Sequence, residues 1–142
     1  MLKSKKLEEI EIKGRGIIDM WYCAHAIFYF EIIGEDQESY LVHENIYLIY
    51  SENEEILDAI ADGVAISNQD LSTDGHLELD EKKARYIFAG IRKIIKTETM
   101  PADKIMAASS GMELSYSIYE VDSIDEVRKL AAGEMVNLLY RE

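Results

Sequence analysis

With 142 residues, 48% of them apolar, the chain is long enough to close one hydrophobic core, and its 28 acidic against 15 basic residues give a net charge of −13 that excludes a surface built to follow nucleic-acid phosphates. A single cysteine excludes an intramolecular disulfide, and the longest apolar run, Met20 to Ile33, falls short of the roughly 20 residues of a membrane-crossing helix. The expectation is one soluble, cytoplasmic domain over 20–142, preceded by a partly mobile arm over 1–19 that lacks the apolar stretch of a secretory leader.

From Met20 the chain alternates. Tyr22, Ala24, Ala26, Phe28, Phe30 and Ile32 make one apolar face, and Trp21, Cys23, His25, Ile27, Tyr29 and Glu31 a mixed one, which is the period of a strand. Gly34 to Glu38 reads as a turn and Ser39 to Tyr50 as a second strand, so the two predict a long hairpin. With Glu35 to Gln37 at its tip, odd residues pair with odd, placing His25 near Tyr47 and Tyr29 near His43; a slip of one residue separates them across the sheet. Ser51 and Glu54 form a capping box that starts a helix with Ile56, Leu57, Ile60, Ala61 and Val64 inward, ending before the loop 67–75.

The segment Ala84 to Lys96 carries two signals, an apolar helical arc and an isoleucine-rich strand composition. Glu113 to Val121 reads as a strand. Ser123 and Glu126 are a second capping box, opening a helix with Ile124, Val127, Leu130 and Ala131 inward and Gly133 at its end, and Met135 to Tyr140 is a last strand. The fold class expected is α+β: a two-layer, mostly antiparallel twisted sheet of about six strands with two helices on one face, in ββα-βββαβ order. Leu114 to Ile118 and Val136 to Tyr140 are expected in its core, with Ile56, Ile60, Val127 and Leu130.

Trp21-Tyr22, Glu44-Asn45, Tyr47-Leu48-Ile49, the helix opened by Ser51, YIFAGIRKI over Tyr86 to Ile94 and GMELSYSIYEV over Gly111 to Val121 follow one another in an order that resembles a small bacterial family, domain of unknown function 4288. The resemblance covers roughly residues 20–121 and implies that Ala84 to Lys96 is a strand. It departs at Asp70 to Glu81 and after Asp122, and it implies no activity.

Charge is concentrated: residues 34–83 hold fourteen acidic and two basic side chains, whereas 84–142 hold nine and eight. The leading reading is a non-enzymatic interaction protein whose acidic region binds a basic partner, with Glu52, Glu54, Glu55, Asp58 and Asp62 as contacts; its concrete form is an immunity or inhibitor-type protein covering a nuclease toxin. The alternative is a small enzyme or ligand-binding protein using a polar pocket of His25, Tyr29, Glu31, His43, Asn45 and Tyr47, with Ser115, Ser117, Tyr119 and Arg92 nearby. Asp70 to Glu81 also matches the oxygen-ligand spacing of a single Ca²⁺ loop, against the plainer reading of an acidic turn. A homo-oligomer joined through sheet edges is a further reading. No catalytic residue, metal ligand or cofactor is assigned, because no nucleophile-base spacing, phosphate loop or His/Cys ligand pattern occurs.

Overall fold

A computed structural model describes residues 20–74, 76–97 and 110–141; the arm expected over 1–19 lies outside them. Six strands and two helices follow in the expected order: β1 Trp21–Ile32, β2 Tyr40–Tyr50, a short 3-10 turn Glu54–Ile56, α1 Leu57–Ser67, β3 Glu78–Leu79, β4 Lys82–Lys96, β5 Glu113–Val121, α2 Ile124–Ala131 and β6 Leu139–Arg141. Every neighbouring pair is antiparallel, and the sheet order is β3-β4-β1-β2-β5-β6. The fold is α+β. Ala84 to Lys96 is a strand, because β1 needs a partner on its second side and β4 supplies one along almost its whole length.

The central strand is buried on both sides. Ile27 and Phe28 are both fully buried, though adjacent residues of a strand point to opposite faces. Tyr22, Ala24, Ala26 and Phe28 pack with Tyr47 and Ile49 beneath Leu57, Ala61 and Ala65 of α1. Ile27 packs with Val42 and Val121 beneath Val127, Leu130 and Ala131 of α2. The two helices therefore cover opposite faces rather than sharing one, and the mixed face of β1 is half core. What brings α2 so close is Gly90 of β4, where an added Cβ would stand 3.3 Å from that of Ala131. Gly133, at φ +83°, ends α2 with its N–H on the Leu130 carbonyl at 3.0 Å, while the Glu134 N–H reaches that of Lys129 at 2.9 Å.

The hairpin register also differs from the expected one. Trp21 pairs with Tyr50, His25 with Ile46, Ile27 with Glu44 and Phe28 with His43, so odd residues pair with even. The cause lies in the loop: the Gln37 side chain accepts from the Ile32 N–H at 2.8 Å and donates to the Phe30 carbonyl at 3.1 Å, while Gly34 takes φ +82°. Gln37 thus plugs the loop instead of forming its tip.

Smaller corrections follow from caps and edges. Asn53, not Ser51, caps the first helical turn, accepting from the Glu55 N–H at 2.8 Å, and the Ser51 hydroxyl instead donates to the Asn53 carbonyl. Ile56 and Leu114, expected inside, are exposed because one precedes α1 and the other lies on the outer end of β5. The last strand is shorter than expected; Val136 packs on the α2 cluster, but Met135, Leu138, Leu139 and Tyr140 are exposed. Ser123 caps α2 as expected, its hydroxyl accepting from the Glu126 N–H at 3.2 Å.

Candidate functional site

The one-residue change of register divides the expected polar pocket. His25, Tyr29 and Glu31 fall on the α2 side of the sheet, and His43, Asn45 and Tyr47 on the α1 side. The two imidazoles do not share a site. Each side instead builds its own polar network around a residue that the pocket reading omitted.

On the α2 side that residue is Glu44, 5% exposed. Its Oε2 meets His25 Nδ1 at 2.7 Å and accepts from Arg92 Nη1 at 3.2 Å, while Oε1 accepts from the Tyr119 hydroxyl at 2.9 Å. Burial, then Glu44 itself, pushes the Tyr119 phenol up, so it remains a donor. A buried carboxylate surrounded by donors is stable where an isolated one is not. Arg92 and Tyr119 meet His25 through Glu44 rather than through His43. An acid between His43 and Asn45 in an otherwise apolar strand was the available signal. Tyr29 takes no part, and Glu31 pairs separately with Arg85, whose Nε donates at 2.9 Å. The Cys23 thiol is pushed up by burial, which opposes thiolate chemistry.

On the α1 side the missed residue is Tyr86 of β4. Its hydroxyl lies 2.9 Å from His43 Nδ1 and accepts from Asn45 Nδ2 at 3.0 Å; the same amide donates to the Tyr47 hydroxyl at 3.3 Å. The Tyr86 ring stacks on Phe28 with centroids 4.7 Å apart. Burial raises the Tyr86 phenol far above its ordinary range and lowers His43, so a neutral imidazole accepting from a neutral phenol is the state this site favours. Trp21, 5% exposed, carries the one buried side-chain nitrogen or oxygen without a hydrogen-bond partner among the described residues, its Nε1.

The Ca²⁺-type segment folds as a turn against the sheet edge. Asp70 pairs its backbone with Tyr86, and His76 sits between two carboxylates, Nε2 at 2.6 Å from Asp70 and Nδ1 at 3.0 Å from Asp74. Hydrogen bonds from Ser72 hold Asp70 below the usual carboxylate range, those from His76 do the same for Asp74, and the Asp74 bond followed by the Asp70 charge raises His76. Glu81, the last position of the pattern, sits with Asp80 at positive φ in the two-residue β3–β4 turn. Gly75 lies outside the described residues, and among those described no three His, Cys, Asp or Glu side chains are grouped to hold a metal ion.

The five acids near α1 are all exposed, and none has an ion-pair partner among the described residues. Glu54, Asp58 and Asp62 form one wall of an open groove of about 620 Å³ floored by Tyr22, Leu57, Ile91 and Ile94, with Lys93 and Lys96 opposite. The Tyr22 hydroxyl donates to Glu54 at 3.2 Å and that of Tyr50 to Glu52 at 2.8 Å. Burial, then the neighbouring acid, pushes both phenols up to about 12. Both phenols therefore stay donors to these exposed acids. Among the described residues no helix is long and apolar enough to cross a membrane. Compared with family models, curated proteins and solved structures, the chain has no match.

Proposed function

We propose that this protein is a non-enzymatic interaction module that binds a basic protein through the acidic ridge of Glu52, Glu54, Glu55, Asp58 and Asp62. In its concrete form it is a cytoplasmic immunity or inhibitor-type protein that covers the cationic surface of a nuclease toxin or another nucleic-acid-binding protein. The observation that carries the reading is a row of five exposed carboxylates that form no ion pair among the described residues, beside a groove whose apolar floor suits the methylene stem of a partner arginine or lysine. Such a ridge raises the rate of encounter with a cationic surface more than it adds affinity. The competing idea of an enzyme on a joint His25 and His43 face lacks its geometry, since those rings occupy opposite faces.

Calorimetric titration with poly-L-arginine tests the ridge. Binding should weaken steeply as salt rises and fall about tenfold or more in the E54Q/D58N/D62N variant. Equal binding by that variant, with its fold intact by circular dichroism, overturns the reading.

A further inference from the structure

The two edges of the sheet are finished differently. The β4 edge is guarded: β3 covers Lys82 and Lys83, Asp70 exchanges both backbone hydrogen bonds with Tyr86 at 2.9 and 2.8 Å, and the Gln69 side chain accepts from the Phe88 N–H at 3.0 Å. The opposite edge ends in β6, which pairs inward with Ile118 to Glu120 of β5 and, among the described residues, with nothing outward. Of eleven large apolar side chains exposed among the described residues, seven lie on β5, β6 or the chain beside them. Four of those, Met135 at 96%, Leu138 at 39%, Leu139 at 60% and Tyr140 at 61%, come from one six-residue stretch. Open edges and apolar patches of this kind are what sheets use to recruit another strand.

We propose that the occupant is a second copy of this chain, with the two β6 strands paired antiparallel about a two-fold axis at Tyr140. A two-fold axis normal to a sheet makes an edge strand its own antiparallel neighbour, so the match needs no foreign sequence. Centred on Tyr140, the pairing sets Leu139 of each copy against Arg141 of the other and Tyr140 against Tyr140. The two Arg141 side chains do not face each other, because each stands against Leu139 and is bonded to Glu120 of its own chain. The Tyr119–Tyr140 contact, with ring centroids 5.9 Å apart, becomes half of a four-tyrosine row across the joint. Charge favours this end as well: residues 84–142 are nearly balanced, while the surplus of acid lies in 34–83. Two copies approaching through β6 therefore meet less repulsion than they would through the acidic 34–83 surface.

Sedimentation of the full chain tests the proposal. The mass should rise with concentration from 16.3 kDa toward twice that value, and rise further with added salt, which screens the repulsion between two copies of net charge −13. Binding to a basic partner weakens with salt, so the two ideas fail separately. The L139K/Y140K variant should stay at the mass of one chain. A wild-type mass that stays single up to about 1 mM, or a variant that still doubles, overturns the proposal. A second probe does not depend on that variant's folding: with Cys23 replaced by Ser, Tyr140→Cys should form a disulfide dimer on mild oxidation, as residues facing each other across antiparallel strands lie within bridging range. Ile66→Cys, exposed on α1, should not. Equal cross-linking at both positions, or none at 140, counts against the two-fold pairing.

Discussion

The two faces of the central hairpin hold comparable numbers of polar side chains and handle them in opposite ways. Beneath α1, His43, Asn45, Tyr47 and Tyr86 form a neutral network among aromatic rings, whereas beside α2 a buried carboxylate, Glu44, is held by a guanidinium, an imidazole and a phenol. The difference teaches that strand polarity alone does not signal a site. Each network is closed on itself, whereas the acids of the α1 ridge face water with no ion-pair partner among the described residues.

The sharpest way to break the ionic side is to remove its centre. Glu44→Ala leaves Arg92 and His25 without their shared carboxylate and should cost about 3 kcal/mol in urea unfolding, the lower end for a broken buried pair because Arg92 is partly exposed. An effect below about 1 kcal/mol would mean that the network contributes little. On the neutral side Tyr86→Phe keeps the ring stack but strips His43 and Asn45 of their common partner, with an expected loss of about 2 kcal/mol.

Acid separates His43, beneath α1, from His76 of the edge turn by sign. Because burial holds His43 below 6.5, the unfolded chain takes up that proton first, so the stability lent by its neutral ring is full above 6.5 and is lost as pH falls toward the folded value. His43→Gln should flatten this acid limb in pH-dependent melts; an unchanged limb would assign it to other groups. His76 has the opposite sign, its contribution being present at low pH and lost as pH rises through its raised value. Proton NMR should find His76 titrating above 6.5 and moving back in Asp74→Asn. The smallest expected effect tests the division itself. A double-mutant cycle between His25 and Tyr47 should be additive within about 0.5 kcal/mol, while His25 with Glu44 should couple by about 1 kcal/mol or more. Strong coupling between His25 and Tyr47 would restore the shared face.

Much of the fold was legible in the residues themselves. The alternation of Tyr22 to Phe30, the Ser123 cap and Gly133 are local signals, each resolved by sterics or a hydrogen bond within a few residues, and each stands where the pattern placed it. The sequence alone also determined where the acid lies. Tertiary structure decided which polar residues meet, because strand pairing has period two and a single side chain, Gln37, shifts the parity of the whole hairpin. It decided equally that α2 would take the second face, through the close approach that Gly90 permits, and so turned a mixed strand face into core around one buried acid. Such outcomes depend on contacts between segments far apart in the chain, which no local periodicity encodes.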